Sequence, residues 1–534
     1  MNKQIKNLLA ISVACATLPA AAQQYQPEWK SLQNYQAPEW YEDAKLGFWS
    51  IYGIYTIPAF MGDHAAEWYG RRMYQKNGQS EKNKGFAQHQ HHLENYGDPA
   101  KFGYKDFIPM FKAEKFNADE WADLTVRGGA KFFTMMGIFH DNFALWDSKL
   151  TKWNSVNMGP KRDLVGEMAM AVRANGLKFG VSNHSGWNFQ FYQWNHINGY
   201  DAKVPDTKDL YGAPNITTNM SKVQYKSGDG KFEWRKYGRN PVRPSEYDLK
   251  MWLAKSKELA DLYQPDLYYF DWGFREPEFE PNRRAFAAHY YNQAINWGKG
   301  SFGDPQVVIN YKNNHFAEGS AVRDYERGLH LEIADQVWQT DDSVYAGHNW
   351  SYVPNTPIKS ANHIIDKLMD IISKRGVLML AFGPKADGTF PEDQKQVIYQ
   401  LGDWLKICGE AVYATRPYEI FGEVGKHWYD KDKEGHKLFI ATKEDVRYTR
   451  NKANDTLYIT MLKWNDKIIL KSLKGLDLSN LQSATLLGTN KKLQLKMTTK
   501  GLEIALPIKP KYDNAYPIKL KFNGKLPSPI KDKI

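Results

Sequence analysis

The run Tyr263-Gln-Pro-Asp-Leu-Tyr-Tyr-Phe-Asp271 drives a short aromatic strand into a carboxylate and then into Trp272-Gly273. An acid at the C-terminal end of a buried strand is where barrel enzymes carry catalytic groups, which makes Asp271 the first candidate for chemistry. Glycoside hydrolysis needs two carboxyl groups, one as nucleophile and one as acid/base, on opposite sides of the anomeric carbon. For the second, Glu67 in Glu67-Trp68-Tyr69, Glu326 in Asp324-Tyr-Glu326-Arg327-Gly328, and Glu332 all flank strand-like segments. Each also reads as a surface salt bridge or a helix cap, and spacing alone does not choose among them. His89, His91 and His92 with His140-Asp141 raise a metal hydrolase, but no His-Glu-x-x-His or comparable ligand spacing is present, so structural or surface histidines are the simpler reading.

Acids at strand ends require strands to carry them. From about residue 40 to 410 short apolar runs alternate with helical patterns, the signature of βα units around a parallel sheet. The expected strands are Leu46–Tyr55, Lys131–Ile138, Leu177–Asn183, Asp266–Asp271, Gln306–Asn310, Asp335–Thr340 and Val377–Gly383, with an eighth placed near Trp350. Between several of them Asn117–Gly128, Lys161–Asn175, Asp248–Tyr263, Arg283–Trp297 and Ser360–Arg375 repeat apolar residues at helical spacing. About eight such units close most simply as a (β/α)8-type TIM barrel. Residues 200–247, rich in Gly, Lys and Arg, form a long excursion of the kind that walls a substrate site.

After Arg416-Pro417 the texture changes. Thr456–Leu462, Ile468–Lys471, Ser483–Leu487, Leu493–Met497, Leu502–Leu506 and Ile518–Phe522 are short, alternating and separated by Asn, Asp, Gly and Pro, which predicts a C-terminal antiparallel β-sandwich, with a link at 418–440. The expected division is a signal peptide over 1–22, a catalytic barrel over 23–420 and the sandwich over 421–534.

The start Met-Asn-Lys-Gln-Ile-Lys, the apolar run Leu8–Leu18 and Pro19-Ala-Ala-Ala22 have the layout of an export signal cleaved near Ala22. The expected location is therefore the periplasm or the medium. Cleavage would remove Cys15 and leave Cys408 alone, so no disulfide forms within the mature chain. No later stretch approaches the roughly 20 apolar residues of a membrane span. The formal charge of +11 sits largely in the lysines between Lys463 and Lys533, a solvated basic face rather than a nucleic-acid site. Eighteen Trp and 32 Tyr suit stacking on sugar rings as well as packing.

Three further segments carry a resemblance: Gly129-Ala-Lys-Phe-Phe-Thr, His140-Asp-Asn-Phe-Ala-Leu-Trp-Asp-Ser-Lys149, and Trp153 through Asp163. With Lys45-Leu-Gly47, Pro58-Ala-Phe60, Glu67-Trp-Tyr69, Asp266–Asp271, Tyr325-Glu-Arg-Gly328, Trp338-Gln-Thr-Asp341, Gly383–Gly388 and Gly409–Pro417, they resemble the retaining α-L-fucosidases of glycoside hydrolase family 29. Leu486-Leu-Gly488 and Gly501–Pro507 are similar to that family's C-terminal sandwich, so the resemblance runs from about 40 to 522. It implies an exo-acting retaining glycosidase that needs no cofactor and releases a terminal α-L-fucose or related L-galactose-configured sugar from an oligosaccharide or polysaccharide. Carried over by position, the nucleophile falls on Asp271 and the acid/base on Glu326, with Glu67 next. The expected sugar contacts are Glu67, Trp68, His140, His184, Tyr269 and Trp338, and no metal is implied.

The departures bear on specificity. Where the family has Phe-x-His-Trp-Gly this chain reads Trp49-Ser-Ile51-Tyr52-Gly53, and the usual His-His pair is Phe139-His140. The usual Asn-Gly-Asn-Leu-Leu-Leu-Asn is Arg375-Gly-Val-Leu-Met-Leu-Ala381. An imidazole that hydrogen-bonds a sugar hydroxyl is worth about 1–3 kcal/mol, and Ile or Phe supplies no such bond. One alternative is therefore an α-L-galactosidase acting on 6-substituted or sulfated L-galactose of algal galactans, with Arg71, Arg72, Arg235, Arg239 and Arg243 as candidate anion contacts, since a guanidinium suits sulfate geometry. The other is a noncatalytic sugar-binding relative. The residues leave the linkage and the oligomeric state open.

Overall fold

The computed structural model describes residues 24–62, 64–76, 86–214, 223–226, 232–235, 243–425, 429–431, 437–489 and 491–529, the side chains of 86, 223–226, 232–235, 429–431 and 437–438 excepted. The expected signal segment and Arg239 lie outside the described residues, as does the Arg235 side chain.

Eight parallel strands close into a barrel: Leu46–Ser50 (β1), Phe132–Ile138 (β2), Lys178–Asn183 (β3), Leu267–Phe270 (β4), Val308–Lys312 (β5), Val322–Asp324 (β6), Trp338–Ser343 (β7) and Gly376–Phe382 (β8). Each pairs with its sequence neighbour, and β8 returns to β1 through Leu46 opposite Leu378. Strands covered on both faces can be apolar throughout. Phe-Phe-Thr-Met-Met-Gly-Ile in β2 and Gly-Val-Leu-Met-Leu-Ala-Phe in β8 are nearly so, and every residue of both is buried. The eighth strand is β6 and not a segment near Trp350, which lies in the loop after β7. Three residues are too few to show a periodicity, so β6 is recognisable only by its pairing with β5 and β7.

Helices start where side chains take up the free backbone donors of the first turn. Asn117 Oδ1 accepts from the amides of Asp119 and Glu120 ahead of Ala118–Arg127, and Ser360 caps Ala361–Ile372. Ser245 and Asp248 cap each other's backbone in a box, which starts that helix at Glu246 rather than Asp248. Pro281 fits the first turn of Glu280–Asn296, where its missing N–H costs nothing, and the helix begins ahead of the expected Arg283. Among the described residues no helix is long and apolar enough to cross a membrane.

The chain then enters antiparallel sheets. Thr415–Glu423 spans the expected boundary at 420 and pairs with Val446–Asn451, so the first sheet begins ahead of the link expected at 418–440 and runs into it. Its order continues through Thr456–Met461 and Tyr516–Phe522 to Leu481–Leu486. A second sheet of Lys467–Leu470, Gly501–Ala505 and Gln494–Thr498 shares a core with it built on Tyr448, Ile459, Leu502, Ile504, Ile518 and Leu520.

The sheets are joined to the barrel by buried polar contacts as well as apolar ones. Trp404 Nε1 donates to the Ala515 carbonyl at 2.8 Å. Arg447 Nε meets Asp370 Oδ1 at 2.7 Å and Lys374 Nζ meets the same carboxylate at 2.8 Å, with all three side chains fully buried. Asp370 thus neutralises two buried cations at once, while Arg447 Nη1 has a second, longer contact with Asp445 Oδ1 at 3.5 Å. Asp370→Asn is therefore expected to cost about 3–5 kcal/mol in the unfolding free energy of the first chaotrope transition; a cost under about 1 kcal/mol would show that the pair is not what secures the sheets.

Candidate active site

Side chains of a strand alternate between faces, and that alternation builds the site. In β4, Tyr268 and Phe270 pack outward on Phe286 of the helix Glu280–Asn296, at ring distances of 4.7 and 5.0 Å. Tyr269 therefore faces the barrel axis, and Asp271 follows it there at the C-terminal mouth. The same parity recurs around the barrel: Trp49, Ser182, Asn310 and Gln339 face inward, tied by Trp49 Nε1 to Ser182 Oγ and by Tyr41 Oη to Gln339 and Asn310. Two residues further along each strand direction stand Ile51, His184, Lys312 and Asp341. With Asp271 they line a cavity of about 540 Å³ whose walls also include Glu67, Trp68, Phe139, His140, Trp272, Glu326 and Trp350.

Lys312 is the electrostatic centre of this mouth. Its Nζ lies 3.1 Å from Asp271 Oδ1, 2.8 Å from Glu326 Oε2 and 3.1 Å from Asp341 Oδ2. Burial alone would drive the ammonium toward neutrality, but Asp341, Glu326 and Asp271 outweigh it and hold the lysine well above its ordinary value. Because one ammonium contacts both, the nearest oxygens of Asp271 and Glu326 can be no further apart than those two contacts laid end to end. That is compatible with the roughly 5–5.5 Å carboxyl spacing of retaining glycosidases.

Asp271 meets two imidazoles on its other oxygen. His140 Nε2 is 3.3 Å and His184 Nδ1 3.4 Å from Oδ2, and His140 Nδ1 is turned to the His184 carbonyl at 2.5 Å. The His184 contact has ion-pair distance but not the alignment of a hydrogen bond. Burial pushes the Asp271 carboxyl up, yet Lys312, His184 and His140 together overcome it and hold the group well below the usual carboxylate range. Beneath it Tyr269 Oη donates to Asp341 Oδ2 at 2.9 Å, and Gln339 Nε2 donates to Asp324 Oδ1 at 2.8 Å. Burial and the neighbouring Asp341 charge raise Asp324 well above its ordinary value.

Glu326 is placed by backbone pairing that continues past β6. The Tyr325 amide donates to the Gln339 carbonyl and the Arg327 amide to the Asp341 carbonyl, at 2.9 and 2.8 Å. Arg327 takes φ of 50°, a conformation that costs a non-glycine residue about 1–3 kcal/mol. Its guanidinium donates to the carbonyls of Gly347 and Asn349 and lies 4.5 Å from the Trp350 ring centroid, which orders the loop over the site. Glu326 is 44% exposed at its side chain, open to an incoming group from solvent. Glu67 is the opposite: it is buried, and burial pushes its carboxyl up to about 7.

Of the residues expected from sequence, Asp271, Glu326, Glu67, Trp68, His140 and His184 come together around one cavity. Tyr269 does not line it; it lies one layer below, fully buried and hydrogen-bonded to Asp341. Trp338 is a correction. It opens β7 at the far end of the barrel and points outward, its Nε1 donating to the Lys374 carbonyl and its ring 4.5 Å from His330. Strand parity, which puts Gln339 and Asp341 inside, sends Trp338 out. Glu332 is exposed and off the cavity. His89 and His92 bond the carbonyls of Met73 and Phe102, away from the site. Ile51 and Phe139 do line the cavity in place of imidazoles, while His184 from the end of β3 brings a second ring to Asp271.

The three candidate anion-binding arginines whose side chains are described turn elsewhere. Arg71 donates to the carbonyls of Gln190 and Phe191, Arg72 to Gln75 Oε1, and Arg243 pairs with Glu278. None of the three lines the cavity. Lys312 and Asp341 were missed by sequence reasoning, although both sit two residues beyond inward-facing strand positions, a signal available once strand registers are known. Trp350 belongs to the cavity wall rather than to a strand.

Residues 12–410 match the family model for alpha-L-fucosidase, and residues 441–521 the model for the alpha-L-fucosidase C-terminal domain. The chain is 30% identical over 467 residues to the tissue alpha-L-fucosidase of Rattus norvegicus, covering 85% of this chain and 87% of that one. It is 26% identical to the alpha-L-fucosidase of Dictyostelium discoideum over 91% of this chain and 89% of the other. Among solved structures it is similar to the alpha-fucosidase of Thermotoga maritima, with a TM-score of 0.69, 27% identity, and coverage of 93% of this chain and 100% of that one. The same enzyme in complex with fucose aligns with a TM-score of 0.68.

Lys312→Met keeps the length of the side chain and removes the charge. Without the ammonium the Asp271 carboxyl rises, so the ionised form is lost at a higher pH than in the wild type. The expected result is an acid limb of the pH–rate profile moved upward by about one unit or more, with kcat/KM down about 10²-fold at its optimum. An unmoved acid limb would show that Lys312 does not set the charge state of Asp271.

Proposed function

Since this chain belongs to the alpha-L-fucosidase family of glycoside hydrolases, we propose that it releases a terminal α-linked L-fucose, or a sugar of the same L-galactose configuration, by double displacement with Asp271 as nucleophile and Glu326 as acid/base. The observation that carries this reading is Lys312, one buried ammonium that keeps Asp271 ionised and gathers Glu326 beside it. In the first step an Asp271 oxygen bonds to C1 while the C1–O bond to the leaving group breaks and Glu326 delivers its proton to the departing oxygen. In the second, Glu326 takes a proton from water, the hydroxide oxygen bonds to C1, and the carboxylate of Asp271 leaves. Two inversions at C1 retain its configuration.

Glu67 supports a second assignment of the proton donor. An acid raised by burial to about 7 still carries its proton near neutrality, as a general acid must. The two assignments differ in their pH consequences. Were Glu67 the donor, activity would fall as pH rises through about 7, and Glu67→Gln would remove that limb with most of the rate.

For the sugar itself, the engaged guanidiniums of Arg71, Arg72 and Arg243, together with the carboxylates that line the cavity, favour an uncharged ring over a sulfated one. The apolar side chains of Ile51 and Phe139 suit a ring with fewer polar demands than imidazoles would serve. The layout of residues 1–22 supports export to the periplasm or the medium before the enzyme acts.

Asp271→Asn is expected to lower kcat on an aryl α-L-fucoside by at least about 10³-fold with an unchanged far-UV spectrum. Near-normal turnover would remove the nucleophile assignment. Azide should restore activity to Glu326→Ala on the same activated substrate; full activity of that variant without azide would transfer the role to Glu67. Measured side by side, aryl α-L-fucoside and aryl α-L-galactoside should both be cleaved and a sulfated galactan oligosaccharide should not, and cleavage of the sulfated substrate alone would replace the uncharged-sugar reading.

A further inference from the structure

Asp271 Oδ2 is shared by two imidazoles whose geometry exceeds what a hydrogen-bonded nucleophile requires. His140 Nε2 and His184 Nδ1 stand 3.3 and 3.4 Å from it, and the ligand atoms of all three residues fall within 4.8 Å of one another. Zinc at about 2.0–2.1 Å from each ligand spaces tetrahedral neighbours about 3.3–3.4 Å apart, the spacing of those two contacts. Among the described residues this is the one group of three or more His, Cys, Asp or Glu gathered closely enough to hold a metal ion.

Two more observations point to an ion. His140 Nδ1 faces the backbone carbonyl of His184 at 2.5 Å, so that nitrogen donates and Nε2 is the ring atom turned toward Oδ2. A histidine whose far nitrogen is fixed by a carbonyl is the usual arrangement at metal centres. His184 is 5% exposed, and neither ring nitrogen completes a hydrogen bond with a protein group. A buried polar ring without hydrogen bonds is costly to keep, and an ion that took up Nδ1 would remove that cost. Lys312 occupies Oδ1 at 3.1 Å and leaves Oδ2 to the ion, while the cavity side offers water a fourth position.

We propose that this end of the cavity is a capture site for zinc, held by His140 Nε2, His184 Nδ1 and Asp271 Oδ2, and that the bound ion excludes the sugar. The site stands on geometry alone, whereas its inhibitory consequence rests on the reading of Asp271 as nucleophile. Imidazole-rich donors favour zinc over magnesium, so magnesium at the same concentration should do nothing. The ion is an inhibitor here and not a participant in turnover.

The test uses the tag-free full chain and zinc chloride. Isothermal titration should find one zinc per chain, with a thermal midpoint raised by zinc and restored by a chelator. On an aryl α-L-fucoside, zinc should raise apparent KM several-fold with kcat unchanged. His184→Gln and His140→Gln, each first shown to be folded by its metal-free melting curve, should weaken zinc binding at least tenfold. Because both substitutions fall on buried residues, wild-type protein supplies an independent arm: zinc binding should weaken as L-fucose is added. Absence of stoichiometric binding, or wild-type affinity in both variants, overturns the site. Binding that depends on both histidines but leaves turnover untouched upholds the site and overturns the placement of Asp271 in the reaction. Loss of turnover in Asp271→Asn without any zinc binding by the wild type does the reverse.

Discussion

One ammonium organises the mouth of this barrel. Lys312 brings a full positive charge into a buried position among three carboxylates, and each partner keeps its place because the others are there. Coulomb attraction between groups about 3 Å apart and shielded from water, as Lys312 is with Asp271 and Asp341, is large compared with anything available at an exposed surface. It opposes the desolvation that would neutralise either side alone. The result is a nucleophile candidate kept ionised in a buried position, the condition on which the double displacement depends.

The layers around that charge keep its geometry. Below, Tyr269, Gln339, Asn310 and Tyr41 fill the barrel axis with hydrogen-bonded side chains, and Asp324 accepts there from Gln339. Above, Arg327 couples the Glu326 turn to the loop that carries Trp350. Asp342, on the outer face of β7, sits between Lys359 and Lys367 at 2.8 and 2.7 Å and near Arg327. An outward strand residue thus steadies the turn that aims an inward one. Farther away, the buried contacts of Asp370 with Lys374 and Arg447 extend the rigid framework into the C-terminal sheets.

The apolar wall bears on selectivity in another way. Ile51 and Phe139 occupy cavity positions where the family carries imidazoles, but His184 reaches Asp271 from the adjacent strand. Two rings, His140 and His184, thus still meet the nucleophile candidate.

Local chemistry was enough to reveal the strand that ends in Asp271, the run of βα units and the short alternating strands after Pro417, because apolar periodicity is imposed by burial and survives in any single sequence. The pairing of Glu326 with Asp271 came from motif resemblance, and Glu67, Trp68, His140 and His184 were named from sequence as well. Register was beyond reach: β6 is three residues long and has no local signature, and Lys312 at the end of β5 is known to face the axis only once strand pairing fixes its parity. Trp338 looked like a sugar contact until strand parity turned it outward, and Tyr269 until the layer of side chains above it was visible. Composition and periodicity report which residues are buried; which of the buried ones share a point in space is decided by strand pairing across hundreds of residues, and the charge balance around Lys312 exists only after that closure.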